Sequence, residues 1–255
     1  MCLIAFALNQ HPDYPLAIAA NRDEFFARPT QPLKEWPDHP GLYAGRDLQA
    51  GGTWLGVFQS TGRVAALTNV RQIPAPDRRG PSRGQLVLDA LLDSRPLSEV
   101  VKGIDANKDQ YQGFNLLVAD RKEAWCLSNH ADGLQPLSSG VYGLSNATLD
   151  VPWPKLVEAR DKLRGWLGAP TQVKTLAHLL GDPTPAPDSE LPATGLSPTW
   201  EKALSAQFIQ LPEYGTRACT GLIIDRHGNL QLHEQTFDAQ GRAETENTVR
   251  LEGFW

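Results

Sequence analysis

Two apolar runs open the chain, Cys2–Leu8 and Tyr14–Ala20, separated by the polar stretch Asn9-Gln10-His11-Pro12-Asp13. Strand-length runs around a short polar loop predict a β-hairpin. The second run passes directly into Asn21-Arg22-Asp23-Glu24, which sets a cluster of polar groups at a strand end beside the N-terminus. From Leu42 to Arg71 the glycines Gly45, Gly51, Gly52, Gly56 and Gly62 punctuate short strands such as Thr53–Phe58 and Arg63–Asn69. Glycine at such points permits bulges, tight turns or close backbone approach.

The period changes at Ser82. Leu86, Val87, Leu91 and Leu92 recur at helical spacing, and Ser82 with Gln85 forms a capping-box pattern. A second helix is expected from Leu97 to about Ile104, with Ser98 as its cap. Strands return at Gly113–Ala119, Glu123–Leu127 and Gly140–Leu144, the last running into Ser145-Asn146. Trp153–Leu167 reads as an amphipathic helix and Val173–Leu180 as a shorter one. Residues 181–198 carry Pro183, Pro185, Pro187, Pro192 and Pro198 and read as a surface loop. Arg217–Asp225 and Gln231–Phe237 form a hairpin around His227-Gly228-Asn229, and Thr248–Phe254 is the last expected strand. Antiparallel hairpins with segregated helices predict an α+β fold of two mainly antiparallel sheets. One domain over residues 1–255 is the expected organisation.

Composition narrows the function. A net charge of −5 leaves no basic footprint for nucleic acid and no polybasic membrane anchor. The opening apolar run is too short to span a bilayer, so stable membrane insertion is not expected. Cys2, Cys126 and Cys219 are distant and odd in number, which argues against a disulfide framework or zinc site and for a reducing, cytoplasmic setting. The six histidines show no metal-type spacing, and no metal is expected. Gly51–Gly56 lacks a phosphate-loop lysine and opens no helix, and no GxSxG elbow supports a serine triad.

The candidate chemistry starts at Cys2. A cysteine at position 2 is small enough for methionine aminopeptidase to expose, leaving one residue with both a thiol and a free α-amine. That amine titrates at roughly 7.7–8.0, so it can take the thiol proton at neutral pH. The alternative is a small hydrophobe that starts a strand. The hairpin brings Arg22, Asp23 and Glu24 near the thiol: an arginine there favours thiolate and a carboxylate orients the amine. Asn69 and Asn146 both follow apolar runs and could aim amide N–H groups at an oxyanion, although asparagine also ends strands for turn reasons. Arg217 stands at the mouth of another apolar strand. Trp54 can line a pocket or pack in the core, and Arg46-Asp47 can order a loop or contact substrate.

Several motifs together resemble the NRDE family, also called the Transport and Golgi organisation protein 2 family. They are Met1-Cys2-Leu3-Ile4, Asn21-Arg22-Asp23-Glu24-Phe25 with Arg28-Pro29-Thr30, Gly45-Arg46-Asp47, Gly51-Gly52-Thr53-Trp54-Leu55-Gly56 and Leu67-Thr68-Asn69-Val70-Arg71, with Gly143-Leu144-Ser145-Asn146 further on. A more distant resemblance is to the cysteine N-terminal-nucleophile hydrolases of the choloylglycine hydrolase and penicillin acyltransferase group. It implies a four-layer αββα sandwich and a cysteine amidohydrolase or acyltransferase acting on a small acyl or amide substrate. By motif the catalytic roles fall on Cys2, Arg22, Asp23, Asn69, Asn146 and Arg217, with Asn21, Glu24, Arg46, Trp54 and Arg71 as substrate contacts and no cofactor. One departure stands out. That group spaces its Arg and Asp two residues apart, whereas Arg22 and Asp23 are adjacent and would face opposite sides of a regular strand; Glu24 shares the face of Arg22. Eukaryotic relatives are associated with secretory organisation, lipid metabolism and haem movement, which implies the rival: a non-catalytic haem or acyl-lipid carrier using the same pocket. The oligomeric state is not legible.

Overall fold

The computed structural model describes residues 2–74, 80–131 and 133–255; Met1, and with it any processing of the N-terminus, lies outside them. The chain enters through β1 (Cys2–His11) and β2 (Tyr14–Phe25), then β3 (Thr30–Trp36), β4 (His39–Asp47), β5 (Leu55–Phe58) and β6 (Arg63–Asn69). Helices α1 (Gly84–Leu92) and α2 (Leu97–Asp105) follow, and β7 (Phe114–Ala119), β8 (Ala124–Ser128), β9 (Gly133–Pro136) and β10 (Gly140–Leu144) return. After α3 (Pro154–Gly168), α4 (Val173–Ala177) and α5 (Pro198–Leu204) the chain ends in β11 (Tyr214–Ile224), β12 (Leu230–Phe237) and β13 (Ala243–Leu251). The strands form two sheets, ordered β10-β1-β2-β11-β12-β13 and β3-β4-β5-β6-β7-β8-β9.

Alternation along the strands builds the layers. In β1 and β2 the even positions Ile4, Phe6, Ile18 and Ala20 face Val57, Val64, Ala66 and Leu117 of the other sheet. The odd positions Leu3, Ala5, Ala17 and Ala19 pack under Leu156, Leu163 and Trp166 of α3 and Leu176 of α4. The outer face of the second sheet meets α1 and α2 through Ala65, Leu116, Leu86, Leu91 and Val101. The result is an α+β sandwich in four layers, αββα, with neighbouring strands antiparallel.

Several local expectations shift. Helix α1 begins one turn-position later than a Ser82 cap requires: Arg83 occupies the N-cap without a side-chain cap bond. The Gln85 side chain bonds Asp89 instead, at 2.8 Å. Pro96, not Ser98, precedes α2, and the Ser98 N–H is taken by the Glu123 carboxylate at 2.9 Å. Helix α5 stands where the proline-rich loop ends, with Pro198 in its first turn and the Ser197 hydroxyl as cap, a favoured place for proline because the N–H it lacks has no helical partner there. The final strand ends at Leu251 because Gly253 turns at φ +59°. That turn sends Phe254 into the inter-sheet core and lets the Trp255 indole donate to the Gly62 carbonyl at 2.8 Å.

Candidate active site

The hairpin register sets Cys2 directly opposite Arg22. Both occupy even positions, so their side chains continue the inter-sheet face, where the apolar core gives way to a cleft of about 450 Å³. Cys2, Arg22, Glu24, Trp54, Asn69 and Arg83 line it. Alternation carries the odd residues the other way. Asn21 donates its amide to the Leu180 and Gln207 carbonyls at 2.8 and 2.9 Å, among the helices. Asp23 accepts from the Thr216 hydroxyl at 2.7 Å, although its position at the strand end still lets it border the cleft. The adjacent Arg22-Asp23 pair therefore keeps strand geometry, and both residues border the cleft that Cys2 lines. A larger open groove of about 740 Å³ between α1 and α2 contains none of these residues.

Arg22 is 5% exposed and lies over the Trp54 ring, 4.3 Å from its centroid. Its nearest carboxylate oxygen within ion-pair reach belongs to Glu24 at 4.0 Å. Trp54 can take this place because residue 45 has no side chain: a Cβ on Gly45 would come within 2.1 Å of the indole. Gly52 has an equivalent reason. A Cβ there would approach the Gly84 backbone to 2.6 Å, so the loop carrying Trp54 seats against the start of α1 only with glycine. Asp47 closes that loop, accepting from the Gln49 and Ala50 amides at 3.0 and 3.2 Å. Its second oxygen receives Arg28 at 2.6 Å.

The electrostatics of the cysteine are mixed. Burial pushes the Cys2 thiol up, the charges of Asp23 and Glu24 add to that, and Arg22 pulls it down. Burial also raises Asp23, against the influence of Lys155 and the Thr216 hydrogen bond. Lys155, buried in the first turn of α3, is pushed down to about 8 by burial and donates to the Leu204 carbonyl at 2.9 Å. Cys126, pushed up to about 12 by burial, and Cys219, raised by the same cause, are unreactive by comparison.

The remaining expected residues lie at varied distances from the thiol. Asn69 lines the cleft, whereas Asn146 stands behind it and donates its amide to the Asn69 carbonyl at 3.0 Å. The β2–β11 ladder shifts register between Thr216 and Ala218, leaving Arg217 as the extra residue. From there Arg217 reaches the Phe25 and Arg28 carbonyls and borders a recess of about 90 Å³ shared with Arg22 and Trp54. Arg46 is outside the cleft, paired with Asp38 at 2.8 Å and stacked over Trp36. Arg71 is also outside, bound to Glu201 at 2.8 Å and lying over Trp153. Residues with no assigned part in the sequence reading surround the site. Arg28 lies inside a matched motif, but Arg83, Lys155 and Glu234 gave no signal, because a lone charge in a helix or strand pattern resembles any solvated position.

Glu234 is one of these. It is 3% exposed, borders the same recess as Arg22 and accepts the Leu33 N–H at 2.6 Å. Burial pushes its carboxyl up to about 7, opposed by that hydrogen bond and by Arg22.

Residues 1–239 match the family model described as Transport and Golgi organisation 2. The chain is 33% identical over 259 residues to the Transport and Golgi organization protein 2 homolog of Bos taurus, covering 92% of this chain and 93% of the relative. The human homolog is 32% identical over 260 residues, at 92% and 93% coverage. The Drosophila melanogaster protein is 29% identical over 263 residues, at 92% of each. With the family pattern matched from the first strand into the last sheet, and relatives aligned over nearly their whole length, the chain belongs to the Transport and Golgi organisation 2 family.

Proposed function

We propose that the protein is a cysteine N-terminal-nucleophile amidohydrolase or acyltransferase that acts on a small acyl or amide substrate in the cytoplasm. The observation that carries this reading is the pairing of Cys2 with Arg22 at the open end of the inter-sheet core, facing a polar cleft. Once Met1 is removed, the Cys2 α-amine takes the thiol proton and the thiolate attacks the substrate carbonyl carbon. A C–S bond forms as the carbonyl electrons move to oxygen, where the Asn69 amide stabilises them. Collapse breaks the C–N bond, and the amine leaves with the proton held by the α-amine. Water, or a second amine in transfer, then attacks the thioester and regenerates the thiol. Asp23 orients the α-amine, Arg22 favours thiolate, Asn146 holds the backbone of Asn69, and Glu24 and Trp54 contact substrate.

The charged, hydrogen-bonding lining supports acyl chemistry over the rival haem or acyl-lipid carrier. Mass spectrometry of the purified protein before and after treatment with a thiol alkylator is the test. Loss of Met1 with a single adduct on Cys2, absent in Cys2→Ala together with hydrolysis, is the expected result. A retained Met1, hydrolysis unchanged in Cys2→Ala, or a visible band on haem titration without any acyl adduct would overturn the reading.

A further inference from the structure

The charged groups that line the cleft balance in number but do not pair one to one. Three guanidinium groups line it, those of Arg22, Arg28 and Arg83, together with the carboxylates of Asp23, Glu24 and Asp47. Arg28 takes up two of the three, with Asp47 at 2.6 Å and Glu24 at 3.8 Å. Asp23 is turned toward Thr216 and the field of Lys155. Arg22 is left with one long contact to Glu24, and its Nη1, buried, has no hydrogen-bond partner among the described residues. Arg83 is partly buried and donates one bond, to the Gly113 carbonyl at 3.0 Å. No carboxylate of the described residues lies within ion-pair distance of it. It sits immediately before α1, whose first residue also borders the cleft, so the positive end of the helix adds to the same field.

A buried guanidinium donor without an acceptor is costly unless a ligand supplies one. A planar fork is also the side chain best matched to carboxylate geometry. We propose that this cleft selects substrates carrying a carboxylate close to the reactive carbonyl, with Arg83 and the free Nη1 of Arg22 as the groups that receive it. The inference rests on the nucleophile reading of Cys2 and adds a substrate class to it. Arg83 then decides specificity while taking no part in bond making.

A pair of alkylating probes tests this without a known substrate. Iodoacetate and iodoacetamide present the same reacting carbon, the first with a carboxylate and the second with a neutral amide. In each case the thiolate forms a C–S bond and iodide leaves. For an isolated thiolate the anionic reagent is disfavoured by charge repulsion, and the same chain unfolded in urea gives that reference. Rate constants are followed by mass spectrometry on the Cys2 peptide of Met1-processed protein. The expected iodoacetate-to-iodoacetamide ratio is well above the unfolded reference. It should fall by about tenfold in Arg83→Met, survive in Arg83→Lys and shrink with added salt. A folded ratio equal to the unfolded one overturns the carboxylate inference and leaves the nucleophile standing. An undiminished ratio in Arg83→Met removes Arg83 from the role. Failure of both reagents to label Cys2 overturns the nucleophile reading, and this inference falls with it.

Discussion

Glu234 shows how far a single buried group can set the behaviour of its surroundings. Its folded carboxyl sits at about 7 rather than 4.5, with burial as the main cause. The folded state therefore retains a proton that the unfolded chain releases between those values. An acid raised in this way contributes stability below its unfolded value, and that contribution disappears as pH climbs toward 7. The span corresponds to a loss on the order of a few kcal/mol. Glu234→Gln, which keeps an acceptor for the Leu33 N–H, should flatten the dependence of urea midpoint on pH between 4.5 and 7. A variant that preserves the wild-type slope would show that another group titrates there. Cys2 illustrates the complementary case: its thiol is held up by burial, so a base in direct reach is needed before it reacts near neutrality.

At the level of elements, strand alternation explains both what the sequence revealed and what it concealed. The opening hairpin was legible because apolar runs Cys2–Leu8 and Tyr14–Ala20 serve two buried faces, and the pairing of Cys2 with Arg22 follows directly from its register. Strands β3 and β4 were harder to see. They carry Gln31, Lys34, Glu35, Arg46 and Asp47 and shift register twice, which erases a clean period of two. Helix α5 was hidden by the prolines that precede it, the start of α1 by the local Gln85–Asp89 bond within the helix, and the start of α2 by the tertiary bond from the Ser98 N–H to Glu123. The motif glycines were recognisable as punctuation, but their partners Trp54 and Gly84 were not, because close approach is a property of the folded chain. Gly45→Ala tests that point. Its methyl would meet the Trp54 ring at 2.1 Å, so Trp54 must leave Arg22. We expect a loss of about 1–3 kcal/mol in thermal denaturation, and a shift in tryptophan fluorescence should accompany it.

Across the whole molecule, polar pairs join parts of the chain that the apolar core alone would leave independent. Arg71 follows β6 in the second sheet, and its partner Glu201 lies in α5, 130 residues onward. Both are nearly inaccessible, at 5% and 7% exposure, and Thr194 also bonds to both. Removing Glu201 takes the short ion pair from a buried guanidinium, so Glu201→Ala should cost about 3–5 kcal/mol in chemical denaturation. A loss below about 1 kcal/mol would mean that water restores the guanidinium and that the pair is not needed to seat α5. Sequence reading placed Arg71 in a family motif and assigned it to substrate. In the fold it lies outside the cleft and carries this buried bond, since proximity in a motif does not fix which way a side chain turns.

The contact between the Glu234 carboxylate and the Leu33 amide crosses from one sheet to the other. Leu33 falls where the β3–β4 ladder skips from Gln31 to Lys34, so its amide is free to add a polar tie to the apolar one that its side chain makes in the inter-sheet core. The same carboxylate feels the charge of Arg22. A change of charge at the cleft is thus felt by the group that ties β3 to the opposite sheet.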